Sequence, residues 1–296
     1  MRELPCAACG SKDYRVRHEA RLPPVDALDF AARRAGQRYH PRIVQCRDCG
    51  QIYSNPYFAD EVISGLYRKA KYITEPQLEN MTRDYLREFE RAVSGRARES
   101  LRVLEVGCAT GFFLKAIKDA GYRLVQGVEP GEDAVSRAAD DVRPYILNDF
   151  FGPKTFSPHS FDVVCCFQIM DHLPNPASFA QTVYQVLAKD GVFLAINHDI
   201  RALLSRILGE RSPMFDVEHI YLFDRSTMRM LLERAGFDDI KCQPLSNSYT
   251  LDYALKMFPL PSAIKGGVGT LLTSLRLSSL SIRVPGGNMV TRACRR

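Results

Sequence analysis

Apolar runs with the character of β-strands alternate with stretches that suit α-helices from Leu101 to Asn197, and this alternation constrains the fold more than any other feature of the 296-residue chain. Five such runs have the length of buried strands: 101–106, 124–128, 142–147, 161–167 and 191–197. Between the last two, Phe179, Val183 and Leu187 recur at helical spacing. Strands and helices in alternation predict a doubly wound, mostly parallel α/β sheet, in which ligands bind at the carboxyl ends of the strands.

Two acidic residues and two glycines stand where such a sheet binds ligands. The first strand runs up to Glu105 and is followed by Gly107 and Gly111, which predict a tight turn before a helix. Gly107 lets a ligand approach the backbone closely, and the helix N-terminus faces that ligand. The second strand ends at Glu129, 24 positions after Glu105. The Glu129 carboxylate can therefore accept hydrogen bonds from both hydroxyls of a ribose.

Two Cys-x-x-Cys-Gly units precede this region, with Cys6 and Cys9 in the first and Cys46 and Cys49 in the second. Two residues between thiolates let both sulfurs reach one metal ion, and four thiolates close a tetrahedral zinc site, so we expect a structural zinc. Free core cysteines, an iron–sulfur cluster and, more weakly, redox dithiols are the alternatives. Residues 24–36, within the loop between the units, could form a short inserted helix.

Composition and charge argue against several classes of protein. An apolar fraction of 46% and a charged fraction of 25% are ordinary for a globular chain and exclude collagen-like, coiled-coil and disordered proteins. No apolar run approaches the roughly 18 residues of a membrane-spanning helix, and the first residues lack the apolar segment of a signal peptide, so we expect a cytoplasmic protein. The net charge of +6 owes much to the last 47 residues, which carry seven basic residues and one acidic residue. A nucleic-acid-binding protein would usually show a denser basic face.

Changes in sequence pattern divide the chain into five segments. We predict a zinc ribbon and linker strand over 1–70, a helical linker over 71–99 and a cofactor-binding core over 100–249. Residues 250–280 are rich in leucine and carry few charges, which predicts either a helical lid that could contact a lipid-linked substrate or additional core helices. A final antiparallel strand and a basic tail are expected over 281–296.

Several motifs together resemble the class I S-adenosylmethionine (SAM)-dependent methyltransferases. The stretch Glu105-x-Gly-Cys-Ala-Thr-Gly111 is similar to their first motif, Val128-Glu129-Pro130 to the acid of their second strand, and residues 170–176 to the segment after their fourth strand. His219-x-x-x-Phe223 is similar to a late segment of the same family, and the two cysteine units resemble a subgroup with an N-terminal zinc ribbon, common in polysaccharide, sugar and natural-product pathways. The resemblance implies a Rossmann-like seven-stranded sheet, SAM as cofactor and structural Zn²⁺.

The resemblance also implies which residues bind the methionine and ribose parts of SAM. Glu105 would help to hold the ammonium group, beside the backbone of Gly107, Ala109 and Gly111. Glu129 would bind the ribose hydroxyls. Ala109 departs from the family, which usually has glycine at this position, at a small expected cost because alanine has the next smallest side chain.

The adenine and the transfer cleft have implied partners as well. Asp149 would accept a hydrogen bond from the adenine amino group, Phe150 would cover the ring, and Gln168 would face the cleft where the methyl group moves. Asp149 could instead cap a turn, and Phe150 could be an ordinary core residue.

A hydroxyl acceptor must lose a proton, which a positioned base would accept. The candidates are His219 first and His172 second, with His198 also at the ligand-binding edge; each could instead be a structural histidine. We expect a small-molecule, sugar or glycan-type acceptor methylated at a hydroxyl. The alternatives are an RNA methyltransferase that uses the zinc ribbon to bind nucleic acid, which the modest charge of residues 1–100 disfavours, and a non-catalytic binding protein with the same fold.

Overall fold

A small antiparallel sheet lies at the N-terminus of the computed structural model, which describes residues 1–22, 39–72, 77–257 and 262–296. Its first strands are β1 (Tyr14–His18), β2 (Ile43–Cys46) and β3 (Ile52–Ser54). A fourth strand, β9 (Tyr221–Leu222), comes from far along the chain and pairs with β3. The sheet order is β1-β2-β3-β9. The N-terminal region is therefore built into the larger fold, and the helix suggested over 24–36 lies outside the described residues.

A second, larger sheet forms the centre of the protein. Within the described ranges it has seven strands, β4 (Arg102–Val106), β5 (Leu124–Val128), β6 (Ile146–Leu147), β7 (Phe161–Phe167), β8 (Leu187–His198), β10 (Asp238–Thr250) and β11 (Ser281–Cys294). Their order is β10-β11-β8-β7-β4-β5-β6. The pairs among β4 to β8 are parallel, whereas β11 is antiparallel to both of its neighbours. The prediction of an α/β, mostly parallel, Rossmann-like sheet is confirmed.

Helices cover both faces of this sheet. Their bounds are α1 (Asp60–Lys69), α2 (Leu78–Ala92), α3 (Phe112–Asp119), α4 (Glu132–Ser136), α5 (Pro176–Val186), α6 (Leu203–Leu208), α7 (Arg225–Arg234), α8 (Leu251–Met257) and α9 (Ser262–Ser274). On one face α2 and α3 pack together, with the rings of Phe89 and Phe113 5.6 Å apart. On the other face Phe179 of α5 and Leu231 of α7 share a core with Tyr53 of the small sheet. Among the described helices, none combines the length and apolar character needed to cross a bilayer.

The structure differs from the strand pattern in two places. The third predicted strand, 142–147, is only two residues long, because Arg143–Tyr145 form a 3₁₀ turn. Pro144 lies in that turn, to which the fixed φ angle of proline is suited. Proline also lacks the backbone N–H that a strand needs for pairing. The fifth predicted strand, 191–197, begins earlier than predicted, because β8 starts at Leu187. Strands β10 and β11 form a hairpin and pair as far as Thr250 with Ser281. Residues 250–280 therefore connect the two strands at the tip of this hairpin and contain α8 and α9.

Candidate functional site

A left-handed turn joins β4 to α3. Gly107, Ala109 and Gly111 have φ angles of +73°, +48° and +70°. Gly107 N–H donates to the carbonyl oxygen of Val128 at 2.8 Å, which ties the turn to the end of β5. A positive φ strains a residue that carries a Cβ, so the conformation at Ala109 explains why glycine suits this position.

The Glu129 carboxylate lies over this turn at the carboxyl end of β5. One oxygen accepts a hydrogen bond from Ala109 N–H at 2.9 Å, and the other accepts one from Gly131 N–H at 2.8 Å. Burial raises the pKa of Glu129, and the two N–H donors partly offset that rise. The side chain is thus held over the turn.

Glu105 is a buried acid at the end of the neighbouring strand β4. Its exposed fraction is 2%, and its Oε2 has no hydrogen-bond partner among the described residues. Burial raises the pKa of Glu105 well above its ordinary value, and the nearby Glu129 adds to the rise. An acid oxygen without a partner in the interior is costly, and a bound cationic group is one way to satisfy it.

Gln168 and Ile169 follow β7 on the other side of the turn. Gln168 has a φ of +57°, and its side-chain oxygen lacks a partner within the described ranges. The Ile169 side chain covers Gly107, because a Cβ placed on that glycine would lie 2.4 Å from Ile169 Cδ1. Ile169 therefore fills the space in which a side chain at position 107 would lie, which only glycine leaves free.

Asp149 and Phe150 lie after β6 and beneath helix α1. The Arg68 guanidinium of α1 sits 4.9 Å from the centre of the Phe150 ring, and its Nη2 is 3.5 Å from Asp149 Oδ1. Asp149 Oδ1 also accepts the Phe150 N–H at 2.8 Å. Arg68 thus covers the two residues for which the sequence predicts an adenine contact, and no motif signalled it.

Three histidines meet at the carboxyl ends of β7 and β8. The rings of His172 and His219 are 4.8 Å apart, and those of His198 and His219 are 5.3 Å apart. Burial lowers the pKa of His219 to about 4, and burial together with the two other histidines lowers the pKa of His172 well below its ordinary value. All three candidate histidines are therefore brought together, and His172 and His219 are neutral at pH 7.

Asp171 belongs to the same cluster, although the sequence pattern gave it no predicted role in the site. It is fully buried, and its Oδ2 lies 3.4 Å from the backbone N–H of His198. Burial raises its pKa to about 8, and the backbone N–H of His198 partly offsets that rise. The signal that could have found it is its place next to His172, directly after a buried strand.

The small sheet positions His219. Ser54 Oγ donates to the carbonyl oxygen of His219 at 3.0 Å, and Tyr57 OH donates to that of Val217 at 2.7 Å. The Gln51 amide also donates to Leu222 at 2.7 Å. The histidine cluster thus depends on the N-terminal region for the path of one of its segments.

The four predicted cysteines converge at one end of the small sheet. Cys6 and Cys49 have sulfur atoms 3.4 Å apart, those of Cys9 and Cys46 are 3.5 Å apart, and all four lie within 4.8 Å of one another. The following glycines, 10 and 50, have φ angles of +83° and +79°. Zn–S bonds of about 2.3 Å place sulfurs about 3.8 Å apart in a tetrahedral site, so this cluster fits zinc.

Family comparison agrees with this arrangement of strands, turn and acids. A methyltransferase domain family matches residues 78–241, more than half of the chain. The chain belongs to this methyltransferase domain family. The expectation of a methyltransferase is confirmed at that level, and the matched residues include both acids and the glycine turn.

Two relatives of this methyltransferase are named ubiquinone biosynthesis O-methyltransferase. The protein of Actinobacillus pleuropneumoniae serotype 5b is 31% identical over 138 residues, which are 43% of this chain and 56% of the relative. The protein of Neisseria meningitidis serogroup A is 30% identical over 119 residues, 36% and 49% of the two chains. This chain thus spans about half the length of these curated relatives. A SAM-dependent methyltransferase structure from Archaeoglobus fulgidus is 17% identical, with a TM-score of 0.47, over 73% of this chain and 94% of its own.

Proposed function

We propose that this methyltransferase transfers a methyl group from SAM to a hydroxyl of a small-molecule, sugar or glycan-type acceptor. The observation that carries the proposal is the buried Glu105 carboxylate, whose Oε2 lacks a described partner beside the glycine turn. An orphaned acid at this place fits the ammonium group of SAM. SAM supplies an electrophilic methyl group on its sulfonium sulfur, and the protein's own residues bind and orient both reactants.

In this proposal, different residues of the site bind different parts of the cofactor. The backbone of Gly107, Ala109 and Gly111 lies beside the methionine part, and Glu105 holds its ammonium group. Glu129 exchanges its Ala109 and Gly131 hydrogen bonds for the ribose hydroxyls.

The remaining partners line the two ends of the cofactor. Asp149 and Phe150 hold the adenine after Arg68 leaves them. The orphaned Gln168 oxygen faces the transfer cleft.

We propose a hydroxyl acceptor because neutral histidines lie where the acceptor would enter. The names of the two relatives also state O-methyl transfer. His219 is our first candidate to accept the hydroxyl proton and His172 our second. His172 Nδ1 has no hydrogen-bond partner in the described part of the chain, so it is available to accept a proton.

A structural zinc ion and contact with a lipid-like acceptor are also part of the proposed function. Cys6, Cys9, Cys46 and Cys49 would hold a structural Zn²⁺, which stabilises the small sheet and leaves no open position for chemistry. An acceptor with a lipid-like part would find exposed leucines at the hairpin tip, because Leu271, Leu275 and Leu280 are each more than half exposed.

Calorimetric titration with SAM tests the cofactor assignment. We expect wild-type protein to bind one SAM, and Glu129→Ala to bind it at least tenfold more weakly, since hydrogen bonds to a charged group are worth about 1.5–3 kcal/mol. Exposed Glu233→Ala, on α7, is a matched control that should bind as wild type. Unchanged affinity in Glu129→Ala would refute the ribose role, and no SAM binding by the wild type would refute the function.

A screen with labelled SAM against hydroxylated small molecules and sugars tests the acceptor class. Transfer of label to oxygen, and its loss in His219→Asn or His172→Asn, is the expected result. Label that appears only on nitrogen or carbon acceptors would contradict the hydroxyl proposal.

A further inference from the structure

We propose that the tip of the β10–β11 hairpin docks on the surface of an anionic phospholipid bilayer. The hairpin tip comprises α8, α9 and the turn that leads from α9 back to β11, which are residues 251–257 and 262–280 of the described chain. The docking itself does not depend on the proposed function. Its use, which is to bring the site to an acceptor held in the membrane, rests on the proposed function.

The hairpin tip projects from the edge of the large sheet where ligands bind. Asn288 of β11 pairs with His198, the last residue of β8, and also with Leu245 of β10. From Leu245 the strand β10 continues to Thr250, roughly 17 Å away at about 3.4 Å per residue, and α8 follows. A membrane at the tip would therefore lie on the side of the sheet where we propose that cofactor and acceptor bind.

Five described apolar side chains of the hairpin tip are exposed. Leu271 and Leu275 are each 57% exposed, and the other three are Val268, Leu277 and Leu280. Val268, Leu271 and Leu275 recur at helical spacing and so share one face of α9 and the turn after it. Single exposed leucines are common on soluble proteins, whereas a group of this kind marks a surface that contacts a protein or a membrane.

Backbone hydrogen bonds fix the position of these side chains. The Leu277 N–H donates to the carbonyl oxygen of Leu272 at 2.8 Å, and Arg276 between them has a φ of +56°, so the chain reverses directly after α9. The Leu251 N–H donates to the carbonyl oxygen of Leu280 at 2.9 Å, which closes the tip. A folded element therefore presents the leucines to solvent.

The hydroxyl groups of α9 indicate a lipid partner. Those of Thr270, Thr273 and Ser274 donate to backbone carbonyl oxygens three or four residues earlier in the helix, at 3.0, 2.9 and 2.9 Å. Donors that are satisfied within the helix lose no hydrogen bond when water leaves, as a lipid interface requires. A protein partner would instead use such groups for about one hydrogen bond per 100–200 Å² of interface.

The charge of the same segment indicates an anionic membrane. Residues 253–296 carry seven basic residues and no acidic residue. Arg276 and Arg283 are exposed beside the leucines, and Lys265 is partly exposed in α9. Apolar side chains together with basic ones bind the interface of a bilayer that contains anionic lipids, because burial of apolar area and attraction to the head groups add.

Co-sedimentation of the full-length protein with lipid vesicles tests the docking. Vesicles of phosphatidylcholine and phosphatidylglycerol in a two-to-one ratio are compared with vesicles of phosphatidylcholine alone, at low and at high salt. We expect the wild type to bind the anionic vesicles at low salt. Binding should be at least tenfold weaker when the lipid charge is removed or screened.

Two double variants separate the charged from the apolar contribution. Arg276→Asn with Arg283→Gln should weaken binding to anionic vesicles about 25-fold, because each basic residue near such a surface contributes about fivefold, and asparagine tolerates the positive φ at position 276. Leu271→Ser with Leu275→Ser should weaken binding to both kinds of vesicle at least tenfold. Leu124→Ser is the matched control and should bind as wild type, because Leu124 is 50% exposed at the amino end of β5, the opposite edge of the sheet.

Absence of wild-type binding to anionic vesicles overturns the proposal, as does equal binding by the wild type and both double variants. If circular dichroism shows that the leucine variant does not fold, the arginine variant decides. A dimer in sedimentation equilibrium that the leucine substitutions dissociate would show that a second copy of the chain covers the leucines, which also overturns the proposal.

SAM titration of the same samples keeps this proposal apart from the proposed function. SAM binding without vesicle binding overturns the docking alone. Vesicle binding by protein that does not bind SAM supports the docking and counts against the methyltransferase function.

Discussion

Replacing Glu105 by Gln should make the ligand-free protein more stable and the cofactor bind more weakly. The acid is 2% exposed and its Oε2 lacks a described partner. Such an orphaned polar group costs about 1–3 kcal/mol, and more when it is charged. The amide is neutral without taking up a proton on folding, so we expect the free energy of unfolding to rise by about 1–3 kcal/mol, with each kcal/mol raising Tm by about 2–4 °C.

The stability gained by Glu105→Gln over the wild type should increase with pH. The folded-state pKa of Glu105 is raised by burial, above the unfolded value of about 4.3. The wild type therefore loses stability as pH rises through the interval between the unfolded and folded pKa values. Glu105→Gln does not titrate, so its advantage over the wild type should be smaller at pH 5 than at pH 8.

Urea unfolding at pH 5 and pH 8, with SAM titration at pH 8, measures both effects. Loss of a charged hydrogen bond worth about 1.5–3 kcal/mol weakens SAM binding by about 10- to 100-fold. Asp84→Asn is a matched control, because buried Asp84 accepts hydrogen bonds from Ser248 at 2.5 and 2.8 Å and pairs with Arg87 at 2.9 Å. That variant should lose about 1–3 kcal/mol of stability.

A Glu105→Gln protein that is less stable than the wild type at pH 8 would show that the acid is satisfied in the folded protein. Unchanged SAM affinity would show that the acid does not touch the cofactor. Either result refutes the reasoning.

Three further changes test other parts of the structure. Arg68→Ala should tighten SAM binding by about two- to fivefold, because an exposed cation–π contact of about 0.5–1 kcal/mol to Phe150 no longer competes; weaker binding in calorimetry would instead make Arg68 a cofactor ligand. Ala109→Gly should raise the free energy of unfolding by about 1 kcal/mol, since glycine accepts the positive φ without strain; a loss in urea unfolding would contradict this account. Cys9→Ala should abolish zinc binding, measured by elemental analysis, and should lower Tm. Methyl transfer should also fall, because the N-terminal region supports the backbone of His219. Full activity in zinc-free protein would show that the histidine cluster does not depend on the cysteine cluster.

The parts of the site that adjoin the strands could be predicted from local patterns in the sequence. Gly107 and Gly111 adopt the positive φ angles expected of a turn, and Glu129 lies over that turn, because strand, turn and helix follow each other without interruption. The cysteine spacing likewise predicts a cluster, since two short units can each turn toward one ion.

Contacts between distant segments could not be predicted in this way. Arg68 over Phe150 joins residues 82 positions apart, and the partner of His198 is Asn288. Neither pair leaves a periodic pattern, because such contacts depend on how helices and hairpins pack. Strand β6 is short because of Pro144, a local signal that outweighs the apolar residues around it.

Because β3 pairs with β9, the small sheet is completed by a strand from within the methyltransferase domain. A shortened chain that starts after residue 70 would expose the backbone of Tyr221 and Leu222 as an open edge, and open edges recruit other strands and promote aggregation. Exchange of the N-terminal region between relatives would have to carry residues 217–222 along with it. A substitution that displaces Ser54 in the N-terminal region would also displace the backbone of His219, because Ser54 Oγ donates a hydrogen bond to the carbonyl oxygen of His219.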